Sequence, residues 1–145
     1  MVRRALLLLP LVAVVLALAA CGGGSATLTK APYAAKVSHL CLLTADEVRE
    51  IHLEVGDIGD LTSIVHIDKE FLKQLAALQP PASIAAAAAG YAREMAKAAQ
   101  DNKNAMVATK AGDRFKLYAA MAQRNHDGAA AWPYAKTMGA TGCYP

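Results

Sequence analysis

Charge, aromatic rings and clustered metal ligands are all scarce in this 145-residue chain, and each scarcity removes a class of function. Charged residues make up 19 % and aromatics 6 %, and no group of lysines and arginines is interleaved with rings. Gripping phosphates while stacking bases needs that combination, so nucleic acid is not an expected partner. No stretch alternates apolar and polar residues over a full strand length, which argues against a β architecture. The four histidines, His39, His52, His66 and His126, are never three or four positions apart, so no helix presents a ready pair of ligands. Met95, Met106, Met121 and Met138 offer soft thioethers of the kind copper prefers, but in an alanine-rich chain methionine ordinarily fills gaps in a core. Neither a Gly-x-Ser-x-Gly nucleophile elbow nor a Glu-x-x-His pair of the di-iron type occurs. The expectation is a protein without metal, cofactor or catalytic site.

What the sequence does have begins at the N-terminus. Arg3 and Arg4 precede an apolar run from Ala5 to Ala20 that contains Pro10, the positive and greasy regions of a secretory signal. Sixteen residues fall short of the roughly 18 that suggest a spanning helix. Leu18-Ala19-Ala20-Cys21 resembles the lipobox of bacterial lipoproteins, whose cysteine takes a diacylglyceryl group before cleavage. The resemblance implies acyl chains such as palmitate on Cys21 and a mature chain of 125 residues. Two or more acyl chains give stable anchoring where one does not. Residues 21–30 are rich in Gly, Ser and Thr and read as a flexible tether. Loss of Arg3 and Arg4 leaves 13 basic against 12 acidic residues, a nearly neutral domain.

The remaining chain is periodic. From Pro32 to Gly56, residues Tyr33, Val37, Leu40, Thr44, Val48, Ile51 and Val55 recur at helical spacing. Lys36, Asp46, Glu47, Arg49 and Glu50 lie opposite. The piece "TADE", Thr44 to Glu47, also fits a capping box, so a new helix from Ala45 stands as an alternative to one continuous helix. Leu61 to Gln79 forms a second helix, its start blurred by the β-branched "TSIVHI" and its end set by Pro80-Pro81. Ser83 to Ala111 is a third, favoured by its alanines, with Gly112 to stop it and Asp113 to cap the next. A fourth, from Arg114 to about Met138, is expected to turn Phe115, Tyr118, Ala122, Ala129 and Trp132 inward and to kink at Pro133.

Four helices with short loops favour an antiparallel up-down bundle. Such a bundle returns the tail to the start of helix 1, where Cys41 lies about 14 Å along at 1.5 Å per residue. With Cys21 acylated, Cys41 and Cys143 remain as a pair in an oxidising compartment. A bridge between them closes a loop of roughly 100 residues, worth on the order of 4.7 kcal/mol in the chain-entropy model; two free thiols are the alternative.

"YAAKVSHLC" (Tyr33 to Cys41), "LAALQPPASIAA" (Leu75 to Ala86) and "AKTMGATGC" (Ala135 to Cys143) together resemble a group of small lipoproteins of actinobacterial type. The resemblance brings a helical domain with a cysteine pair and no activity. Residues 1–20 are thus expected to be a lipoprotein signal peptide, 21–30 a tether and 31–145 an all-α up-down four-helix bundle. The molecule would sit on the extracytoplasmic face of the cell membrane, anchored through Cys21, as a non-catalytic envelope interaction or structural module with a protein partner. The other expectation is a small-ligand or metal-binding lipoprotein that uses a groove between helices. Tyr33, Tyr91, Tyr118 and Trp132 are the candidates to line it, unless they simply supply bulk that the alanines cannot.

Overall fold

The computed structural model describes residues 28–51 and 57–144. All regular structure there is helical: α1 (Lys30–Glu50), α2 (Ile58–Ala77), α3 (Ala85–Lys110), α4 (Arg114–Ala130) and α5 (Trp132–Met138), with 3₁₀ turns at Ala82–Ile84 and Thr141–Cys143. The expected signal, Cys21 and most of the tether lie outside the described residues, as does the expected end of the first helix near Gly56. No described helix is long and apolar enough to cross a membrane.

Helix α1 passes through Thr44 without a break, so the capping-box alternative at "TADE" is not taken. Tyr33, Ala34, Val37 and Cys41 form its buried line. Helix α2 opens on Asp57, whose carboxylate accepts from the amides of Gly59 at 2.6 Å and Asp60 at 3.2 Å and so satisfies two donors that the first turn leaves unpaired. Its β-branched opening is helical because Leu61 and Ile64 bury there, and tertiary burial outweighs a weak intrinsic preference.

Helix α3 is the spine. It packs against α2, α4 and α5, and Ala87, Ala88, Ala98, Ala99, Ala105 and Ala108 are all buried on it. Gly112, at φ 67°, reverses the chain, and Asp113 caps α4 by accepting from the Lys116 amide at 3.0 Å.

The fourth helix departs from expectation twice. It ends at Ala130, and α5 begins afresh at Trp132 with Pro133 in its first turn. Proline lacks the amide that would bond the carbonyl of Ala129, and it is well placed where that amide has no intrahelical partner anyway. The result is a break instead of a kink. The buried face is also different: Phe115 is 83 % exposed, Tyr118 58 % and Trp132 39 %, while Leu117 is 4 % exposed. Leu117, Ala120, Asp127 and Ala131 turn toward α3, about 200° from the expected line at 100° per residue. Small side chains let α4 approach the alanine face of α3; aromatic rings would hold it off.

Two apolar clusters result. The larger unites Tyr33, Val37 and Cys41 with Phe71, Leu75, Ile84, Tyr91 and the α5 residues Ala135 and Met138. The smaller joins Leu61, Ala105, Ala108 and Leu117. Along α3, residues 96–104 separate them.

The C-terminal turn packs on α1 and carries the Cys41–Cys143 disulfide, with Cα atoms 5.1 Å apart. Gly142 makes this possible, since a Cβ there would come 2.6 Å from the carbonyl oxygen of Ser38.

Candidate functional site

Beside the larger cluster lies a cleft of about 590 Å³, walled by α1, α2, α3, α4, the start of α5 and the disulfide turn. Its origin is residue size. Ala45, Ala98, Gly128 and Ala129 line it, and a Cβ at Gly128 would meet nothing within 4 Å. Where three helices present such short side chains, their backbones cannot close the space between them.

The lining is divided by chemistry. Phe71, Tyr91, Met95, Trp132 and the Cys41–Cys143 bridge supply an apolar and aromatic wall. Asp68, Asn102, Arg124 and Asn125 supply a polar one. Asn102 is itself buried and donates from Nδ2 to Asp68 Oδ2 at 2.7 Å across the α2–α3 interface. Burial pushes the Asp68 carboxyl above its usual range, while the Asn102 hydrogen bond and the charges of Arg124 and Lys103 pull the other way. Arg124 donates to Asn125 Oδ1 at 3.2 Å, and its charge is felt by Asp68 without an ion pair between them. A volume of this size with few convergent polar groups is typical of small-molecule sites.

Of the four candidate aromatic residues, Tyr91 and Trp132 line this cleft and Tyr33 and Tyr118 do not. Tyr33 is sealed in the larger cluster, and Tyr118 lies exposed on α4. Asp68, Asn102 and Arg124 were not singled out from the sequence. An Asp and an Asn 34 positions apart on separate helices leave no local signature, so only the pairing of α2 with α3 brings them together.

Other recesses are chemically poorer. The groove of about 650 Å³ beside α1 and the C-terminal turn is lined mainly by alanines and other small residues, with neither carboxylate nor guanidinium. The recess of about 340 Å³ between α1 and α2 includes His66, Glu47 and Glu70, but no metal-holding group of three His, Cys, Asp or Glu side chains occurs among the described residues. His126 pairs with Asp127 at 3.0 Å, His39 is exposed, and His52 lies outside the described residues. The methionines are scattered: Met95 lines the cleft, Met106 packs on the smaller cluster, Met138 is fully buried and Met121 is exposed.

Glu94 is a buried carboxylate of α3. Lys97 at 2.7 Å and Arg93 at 2.9 Å hold it ionised, below the usual carboxylate range. Arg93 also donates to the Tyr134 hydroxyl at 3.1 Å and lies 5.8 Å from its ring centre. This group ties α5 to α3 and stands apart from the cleft lining.

Comparison with protein-family models, curated proteins and solved structures finds no match to this chain.

Proposed function

We propose that this chain is an exported lipoprotein, acylated at Cys21 and held on the extracytoplasmic face of the cell membrane, whose helical domain is a non-catalytic module that takes a small molecule into the α1–α4 cleft. The observation that carries the binding reading is the cleft itself, about 590 Å³ and lined both by aromatic side chains and by a hydrogen-bonded carboxylate. The lipobox-like "LAAC" and the disulfide support the address, since bridges persist in oxidising compartments.

The four long helices are read as running up-down-up-down. In support, Leu61 near the start of α2, Ala108 near the end of α3 and Leu117 near the start of α4 share one cluster. Leu75 near the end of α2, Ile84 before α3 and Tyr33 near the start of α1 share the other. On this reading the tether leaves from the end opposite Leu61.

A second reading, an envelope protein partner, rests on the exposed face of α4, where Phe115, Tyr118 and Met121 meet solvent. Exposed aromatic anchors are enriched at protein interfaces.

Two measurements test the proposal. Intact mass spectrometry of the native, unreduced protein is expected to show a chain starting at Cys21 with added acyl mass, and Cys21→Ala to release the protein from the membrane fraction. Native mass spectrometry of the membrane-extracted protein is expected to find a small molecule bound to the wild type and absent from Gly128→Leu, which fills the cleft. An unacylated Cys21 sinks the address; equal occupancy in both proteins sinks the cleft.

A further inference from the structure

The charges at the polar wall narrow what the cleft takes, given the reading that it is the binding site. Asp68 keeps one oxygen on Asn102 and lines the cleft with Arg124, whose guanidinium is held by Asn125 and pairs with no carboxylate among the described residues. A lone anion seated on Arg124 would feel the neighbouring Asp68, and a lone cation on Asp68 would feel Arg124. A ligand that carries both charges satisfies both groups. The apolar part of the lining, Trp132, Phe71, Met95 and the disulfide, asks for an apolar portion. The volume suits a drug-sized molecule and is too small to enclose a two-chain lipid.

We infer that the cleft binds a zwitterion of α-amino-acid type with an apolar side chain, its ammonium directed to Asp68, its carboxylate to Arg124 and its side chain against Trp132 and Phe71. Asp68 and Arg124 are then the residues that set specificity, and Asn102 is a positioning residue that holds the Asp68 carboxylate toward the cleft. Carboxylate and guanidinium are complementary to the two ends of such a head, and arginine can engage a carboxylate through two parallel hydrogen bonds.

Trp132 is the single tryptophan of the chain and lines the cleft, so its fluorescence reports occupancy. The acylated full chain in phosphatidylglycerol vesicles is titrated with four probes that share one side chain: 2-aminooctanoic acid, its N-acetyl derivative, its amide and its N-acetyl amide. They are respectively zwitterionic, anionic, cationic and neutral. The zwitterion is expected to bind at least fivefold more tightly than each of the others. Asp68→Asn is expected to weaken the zwitterion and the amide while leaving the N-acetyl acid unchanged or tighter; Arg124→Gln is expected to weaken the zwitterion and the N-acetyl acid while leaving the amide unchanged or tighter. Arg124 is exposed, so its replacement tests the idea without threatening the fold. Circular dichroism checks that Asp68→Asn remains helical.

Equal binding of all four probes, or charge variants that do not discriminate among them, overturns the zwitterion assignment while leaving the cleft as a binding site. A response that survives Gly128→Leu removes the cleft reading along with it; no response to any probe overturns the zwitterion assignment alone.

Discussion

The Tyr91 hydroxyl lies 3.0 Å from Cys41 Sγ in the buried interior. A disulfide sulfur has no proton, so Tyr91 donates, and α3 is fixed to the residue that ties α1 to the C-terminus. Burial, with Tyr33 nearby, pushes the Tyr91 hydroxyl above its usual range, so it remains a donor throughout the physiological range. Tyr91→Phe is expected to cost about 1 kcal/mol in urea unfolding, the usual net worth of one hydrogen bond. In a Cys41→Ala background the same change is expected to cost less, because the acceptor is gone.

Cys41→Ala and Cys143→Ala are expected to lower stability by similar amounts, about 2–4 kcal/mol, because each opens the same loop of 102 residues. The double variant is expected to lose little more than either alone. Additive losses in equilibrium unfolding would argue that the two sulfurs are not joined in solution.

Gly90 and Gly128 predict opposite signs for one substitution. A Cβ at Gly90 would come 2.4 Å from Tyr134 Cε1, so Gly90→Ala forces the ring off α3 and strains the Arg93–Tyr134 contact. Overpacking of this kind costs about 1–3 kcal/mol. Gly128 has open space, and Gly128→Ala is expected to stabilise by about 0.5–1 kcal/mol through the glycine penalty in a helix. Thermal unfolding of the two variants decides the matter.

The face that α4 buries is tested by Leu117→Ala and Phe115→Ser. Leu117 sits in the smaller cluster, and its truncation is expected to cost about 2–5 kcal/mol. Phe115 is exposed, and its replacement is expected to change stability by less than about 0.5 kcal/mol. The reverse order would return α4 to the orientation first expected from the sequence.

Asp101 on α3 faces Asp127 on α4. Its Oδ2 is shut off from solvent with no hydrogen-bond partner, and burial, with Asp127 second, pushes its carboxyl above the usual range. Two carboxyls can share a hydrogen bond only while one is protonated. The penalty is therefore absent below the unfolded value of about 3.9 and appears as pH rises through the higher folded one. Asp101→Asn, whose amide can donate to Asp127, is expected to melt higher than wild type at pH 7, the gap closing near pH 3. Asp127 is the opposite case: His126, followed by Gln123 and Lys97, holds its carboxyl below the usual range. It contributes stability above the ordinary carboxyl value that is lost as pH falls through its lowered one, so Asp127→Asn is expected to destabilise at pH 7. Lys97, Asn104, Gln123 and His126 are the other groups around the pair.

Sequence patterns carried the helices and the bridge because both depend on local or countable features. Asp113, Gly112 and Pro80-Pro81 mark boundaries through their own backbone chemistry, and an alanine-rich run is helical before it touches anything. The pairing of Cys41 with Cys143 followed from an odd count with one cysteine expected at the lipid site. The cleft was only half visible: Tyr91 and Trp132 stood out as rings, and Asp68 and Asn102 fall on the inward lines of their helices without any local sign of a site, while Arg124 looks like an ordinary surface residue.

Composition and spacing alone determined that the chain is helical, roughly where each helix stops, and which cysteines can meet. Tertiary packing decided which face of α4 turns inward and that a cavity remains beside the larger cluster. The reason is that periodicity ranks side chains by greasiness, whereas close approach is won by small ones. The alanine face of α3 admitted Ala120 and Ala131 and left Phe115 and Tyr118 outside, and the same short side chains left room between the helices.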